Sequence, residues 1–180
     1  MINFFELEFN IPNEYIFADN NTIDELINRR VLEVDYEFIL MLKDMVASGA
    51  ALIIYNPSKY DSNIGTAREY INFGATTIPL PKIQSSEYLE EQKIEEKKLF
   101  EQAYGTQLEH YKFEISNIPN SSKFSFYSES NGAVEGTYNC QYTFWMSEKM
   151  QYVMTLQCFE SEKDSSIHIF NDIIKSIQLK

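Results

Sequence analysis

Twice between Tyr138 and Phe159 apolar side chains take every second position, on either side of a short polar break. In the first segment Cys140, Tyr142, Phe144 and Met146 share one face, and in the second Tyr152, Met154, Leu156 and Cys158 do so. A period of two is the repeat of a pleated strand, so the two runs predict an antiparallel hairpin turning near 147–150 with one buried face. Apolar face meets apolar face only in registers of one parity, and one of these sets Cys140 opposite Cys158. That register allows a Cys140–Cys158 disulfide in an oxidising compartment; otherwise the two thiols are small apolar fillers.

A hairpin with a buried face needs further layers, and the rest of the chain supplies them. Phe5, Leu7, Phe9 and Ile11 alternate with Glu6, Glu8 and Asn10, which predicts a half-buried strand ended by Pro12. Thr22-Ile23-Asp24-Glu25 has the form of a capping box ahead of the stripe Ile23, Leu26, Ile27, Val31. A second stripe at Val34, Phe38, Met41, Leu42 and Met45 runs to Ser48-Gly49, and Ala51–Tyr55 is the continuous apolar run of a strand covered on both faces. From 58 to 86, Gly65, Gly74, Pro79 and Pro81 interrupt every pattern, which predicts loop with one short strand near 76–80. A polar helix is expected from Ser86 or Glu87 to about Tyr104, closed by Gly105. Strands at 111–115 and 124–126 precede the hairpin, and a last helix capped near Asp164 or Ser165 turns Ile167, Phe170, Ile173, Ile174 and Ile177 inward. This order, without internal repeats, predicts an α+β fold. We expect one domain over 1–180, an antiparallel β-sheet flanked by helices, with a helical insert at about 22–47.

At 180 residues, 44% of them hydrophobic, the chain can fill one core without disulfide or metal support. Fifteen basic against 27 acidic residues leave a net charge of −12 with no basic cluster, which disfavours nucleic acid. No apolar stretch approaches the roughly 20 residues of a membrane span. The first twelve residues carry Glu6 and Glu8 and lack the basic and apolar regions of a leader, so a cytoplasmic location is expected. An envelope or secreted location is the alternative if a leader has been trimmed.

Three segments carry a resemblance. Phe9-Asn10-Ile11-Pro12 followed by Tyr15, the meander from Tyr138 to Phe159, and Phe170-Asn171-Asp172-Ile173-Ile174-Lys175-Ser176-Ile177 are similar to the opening strand, central hairpin and closing helix of PsbP-like and DcrB-related proteins. The resemblance covers the first 15 residues and roughly 85–180, and it departs from the family between Thr22 and Pro81, where the helices read as longer. It implies an α/β/α sandwich whose members mostly bind other proteins or sit in the cell envelope, with no shared catalytic residues to carry over. One bacterial branch that this chain resembles serves as cytoplasmic chaperones shielding hydrophobic segments of secreted toxins.

Residue chemistry leads to the same expectation. His110 and His168, with Cys140 and Cys158, show no paired spacing of a zinc site, and none of the six glycines falls in a dinucleotide or phosphate loop. No Gly-x-Ser-x-Gly occurs. Glu6 and Glu8 read as a solvated strand face, and the run from Glu87 to Glu101 as a wet helix laced with charge pairs. No catalytic residue, metal or cofactor is expected, although an enzyme using carboxylates in an unrecognised cleft stands as a third reading.

Two features point to a partner. Residues 1–40 hold nine acids against two arginines, and Glu33, Asp35 and Glu37 belong to that excess. Gathered on one surface, such charge steers a basic protein toward it. Trp145 lies on the hairpin face opposite Cys140, where either a helix covers it or it stands out with Met146 and Met150 as an anchor. The expectation is a non-enzymatic protein-binding domain: an adaptor, chaperone or immunity-type factor for a basic or hydrophobic protein. An envelope or secreted structural domain of DcrB-lipoprotein type is the alternative. Oligomeric state is left open, a homodimer being compatible with the pattern.

Overall fold

A computed structural model describes residues 1–19, 23, 36–61, 66–67, 69–82, 85–104, 108, 110–132 and 136–180. In chain order its strands are Ile2–Phe4 (β1), Leu7–Phe9 (β2), Ile16–Phe17 (β3), Ala51–Tyr55 (β4), Tyr60–Asp61 (β5), Thr66–Ala67 (β6), Glu69–Thr76 (β7), Tyr111–Ile115 (β8), Phe124–Asn131 (β9), Thr137–Trp145 (β10), Gln151–Phe159 (β11) and Gln178–Leu179 (β12). The α-helices are Tyr36–Ala47 (α1), Ser86–Tyr104 (α2) and Lys163–Lys175 (α3).

The expected opening strand is instead a tight hairpin. Phe4 pairs with Leu7 and Ile2 with Phe9, leaving Phe5 and Glu6 at the tip. Phe4 and Phe5 are adjacent, so one strand would aim them at opposite faces; the turn buries Phe4 and puts Phe5 outside at φ 52°. Glu6 therefore lies in a turn and shares no strand face with Glu8, contrary to expectation.

Seven antiparallel strands form the main sheet in the order β3-β4-β7-β11-β10-β9-β8, and a three-stranded sheet β1-β2-β12 lies apart. One face of the large sheet buries Ile71, Phe73, Tyr142, Phe144, Tyr152, Met154 and Leu156 against the small sheet and against Phe170, Ile173 and Ile174 of α3. On the other face α1 covers the β4 side, where Leu42 packs on Ala51 and Ile53. Tyr88 and Leu89 of α2 cover the β9 side, over Phe124, Phe126 and Trp145. Helices on both faces of a sheet make the α/β/α arrangement expected of the chain.

The segment expected as loop from 58 to 86 holds the eight residues of β7, which pair with β4 on one side and β11 on the other. Gly74 lies inside this strand, opposite Ala51 of β4 and Val153 of β11, and a Cβ there would come no nearer than 3.8 Å to the Met45 methyl of α1. Gly49, at φ 75°, ends the α1 turn as expected, with Ala50 N–H donating to the Met45 carbonyl at 2.8 Å. Of the expected helical stripe behind Thr22, only Ile23 is described, and it is buried; the rest lies outside the described residues.

In the central hairpin Cys140 faces Leu156 and Cys158 faces Tyr138, one two-residue step from the register that would join the cysteines. The parity is the expected one and the turn falls at 146–150, next to the expected 147–150; only the register within that parity differs. Both thiols are free and buried. They stand diagonally on neighbouring strands, where Cβ atoms lie farther apart than the roughly 3.8 Å of a disulfide.

Candidate functional site

Two turns meet at one end of the molecule. The Glu6 carboxylate at the β1–β2 tip accepts hydrogen bonds from Ser147 Oγ at 2.7 Å and from the Tyr152 hydroxyl at 3.2 Å, which ties it to the β10–β11 turn. Burial, then the Glu6 charge and hydrogen bond, push the Tyr152 phenol above its usual range, so it stays a donor. Lys180 clamps the same tip from the C-terminus: its N–H donates to the Glu6 carbonyl at 2.9 Å and its Nζ to the Phe5 carbonyl at 2.8 Å.

Phe5 is the exception that this frame supports. A left-handed backbone costs a residue with a Cβ on the order of 1–2 kcal/mol, and the first position of a two-residue hairpin turn is more often glycine. Yet the ring is 47% exposed, touching Phe4 edge-on at 4.8 Å. Glu6 follows it in the turn and Lys180 holds its carbonyl; Leu179, next to Lys180, is exposed, and half-buried Met150 touches Tyr152, the partner of Glu6. An aromatic presented to solvent in a strained, firmly clamped turn is the kind of group that fills a pocket on another molecule.

The residues singled out from sequence divide. Trp145 is fully buried, its ring 5.7 Å from Phe124 and 6.3 Å from Phe126, and its Nε1 donates to the Ile78 carbonyl at 2.9 Å. Met146 is buried in the other layer. Neither is an exposed anchor, because α2 with the chain before it closes over one face of the hairpin and the small sheet over the other. Met150 alone of the three reaches the surface, and it does so beside Glu6. Glu33 and Asp35 lie outside the described residues, and of Glu37 only the backbone in α1 is described. Sequence reasoning missed Phe5 because it fitted an alternating run; the signal was the Phe4-Phe5 pair.

Both cysteines and several carboxylates lie inside, while His110 and His168 are exposed. Burial pushes the Cys158 thiol up to about 12, with Glu69, Glu160 and Glu162 adding to it, and burial raises Cys140 further. Glu69 is buried under α3, accepting from Lys59 Nζ at 2.8 Å and from the Ser166 hydroxyl. Burial nevertheless raises its pKa. Glu96, on the inner side of α2, accepts from the Tyr111 hydroxyl and Gln141 Nε2, each at 3.0 Å. Its pKa is also raised, by burial. Glu129 accepts from the Tyr127 and Tyr138 hydroxyls. Burial works to raise its pKa, but these donors and the charges of Lys112 and Lys163 bring it below the usual range. Among the described residues no three His, Cys, Asp or Glu side chains gather as a metal site.

The fold recurs in a known protein. The chain superposes on cyanobacterial PsbP (CyanoP) of Synechocystis sp. PCC 6803 with a TM-score of 0.54, at 12% identity, over 97% of this chain and 87% of that one. The fold is PsbP-like. LpqN of Mycobacterium tuberculosis, described as involved in cell envelope biogenesis, is matched over 97% of this chain and 83% of that one, at 10% identity and a TM-score of 0.49. No protein-family model and no curated protein sequence matches the chain. At such identities the likeness is one of fold, and what this PsbP-like sandwich does must be argued from its own residues. No helix among the described residues is long and apolar enough to cross a membrane.

Proposed function

We propose that this PsbP-like domain performs no chemistry and acts as a protein-binding domain, an adaptor, chaperone or immunity-type factor for a basic or hydrophobic protein. The observation that carries the proposal is Phe5, exposed in a strained turn that Glu6, Tyr152, Ser147 and Lys180 hold in place. The buried positions of Cys140, Cys158 and Ser166 support its non-catalytic part. In this mechanism the net charge of −12 steers a basic partner inward, and Phe5 and Met150 are then buried against it. Glu33, Asp35 and Glu37 contribute to steering. The proposal includes a cytoplasmic location, supported by two free thiols in a register that does not join them.

The test is capture by the immobilised protein, followed by titration of the purified partner. Phe5→Gly suits the turn and removes the ring, so binding weakens by about tenfold or more while Tm holds within a few degrees. Reversing the charges at Glu33, Asp35 and Glu37 slows association and flattens its salt dependence. Unchanged affinity in both variants overturns the proposal, as does turnover of a small molecule that a single substitution abolishes.

A further inference from the structure

The large sheet ends at β8, and among the described residues no strand pairs with its outer edge. The backbone groups left there can be assigned. Ser116 N–H donates to the Ser125 carbonyl at 3.0 Å and His110 N–H to Asn131 Oδ1 at 3.2 Å, so the even-numbered residues turn their polar groups toward β9. By the alternation of an antiparallel ladder, Tyr111, Phe113 and Ile115 turn their N–H and C=O groups outward. An edge of three donors and three acceptors is a template for another strand.

Its side chains select which strand. Lys112 and Glu114 are 46% and 52% exposed, and they flank Phe113 with opposite charges. We propose that β8 pairs antiparallel with β8 of a second copy of this chain, centred on Phe113, to give a two-fold dimer with one continuous sheet. That register sets Phe113 opposite its own copy and Tyr111 opposite Ile115, and it uses all six outward groups. It also sets Lys112 opposite Glu114 of the second copy, and Glu114 opposite Lys112, in the positions where cross-strand side chains approach most closely. Ile115, 58% exposed in the single chain, is covered by the second copy's Tyr111. Registers centred on Tyr111 or Ile115 lose this match: Lys112 then meets His110, or Glu114 meets Ser116. Charges on an edge ordinarily repel other strands. Here the pair is neutral in sum and complementary to its own two-fold image, so the overall charge of −12 is not concentrated at the contact.

Light scattering or sedimentation of the full chain at about 100 μM reads the result, since mass action reveals a dimer only at sufficient concentration. The expected mass is twice 21.1 kDa. Ile115→Pro removes an outward N–H that β9 does not use, so the variant keeps its circular dichroism and Tm and becomes a monomer. Glu114→Lys places lysine opposite lysine twice and weakens the dimer by about tenfold, and adding Lys112→Glu restores it. Phe5→Gly leaves the mass unchanged, which separates this dimer from the partner site. A wild-type monomer at that concentration overturns the proposal, whether or not a foreign peptide adds to the edge. So does a dimer that folded Ile115→Pro leaves intact.

Discussion

Glu96 projects from a helix whose other carboxylates mostly face water, yet it is turned toward Tyr111, Gln141 and Ser128 on the sheet. Burial raises its pKa above the unfolded value, so between those two values the folded chain holds more protons than the unfolded one. The stability that the protonated carboxyl contributes is complete below the unfolded pKa and is lost as pH rises through the folded one. Glu96→Gln keeps a neutral group of the same shape, so its Tm exceeds that of wild type at pH 8, and the gap closes toward pH 4. Glu69, also raised, and Glu129, lowered, cancel in that comparison because both proteins contain them. A gap independent of pH, or one of opposite sign, would show that the Glu96 environment is not the one described.

The β9–β10 connection shows how an element depends on one missing side chain. Gly132 N–H donates to the Thr137 carbonyl at 2.7 Å, and a Cβ at Gly132 would stand 2.1 Å from Thr137 Oγ1 and 3.2 Å from its carbonyl carbon. Gly132→Ala must therefore shift one strand and costs about 1–3 kcal/mol in urea unfolding. Gly74→Ala is the control, since its Cβ would meet the Met45 methyl at an ordinary 3.8 Å, and it leaves stability within about 1 kcal/mol. Equal losses in the two variants would contradict the packing at Gly132. The contrast also explains what could be read from sequence at this scale. β11 alternates between buried and half-buried positions and is legible as a strand. β7 alternates too, but a charged Glu69 heads its inner face and Gly74 sits within it, so the local pattern spoke for a loop. β3 and β12, two residues each, have no period to read. The cysteine register failed for a related reason: parity fixes which faces meet, and every two-residue step satisfies it equally.

Across the whole molecule, sequence gave layers more readily than surfaces, because burial repeats along a chain while a site is assembled from distant turns. The two readings of Trp145 are decided by α2, which covers it, and the exposed Phe5 turn is held only through Ser147, Tyr152 and Lys180, far away in sequence. Net charge is the one surface property that needs no such assembly. At −12 the folded chain repels itself. Its described ion pairs do little to offset this, since several, such as Lys93–Glu90 at 3.6 Å and Lys175–Asp172 at 3.9 Å, are exposed pairs one helical turn apart. Screening by salt weakens the attraction in those pairs and the repulsion among the surplus carboxylates alike, and the surplus dominates. Raising NaCl from about 20 mM to about 500 mM at pH 7 therefore raises Tm, because the screening length falls from tens of ångströms to a few. The same salt weakens capture of a basic partner, whose approach depends on the unscreened field. If both quantities fell together, the carboxylates would be serving the fold through specific pairs, and steering would have to be abandoned as the first step of recognition.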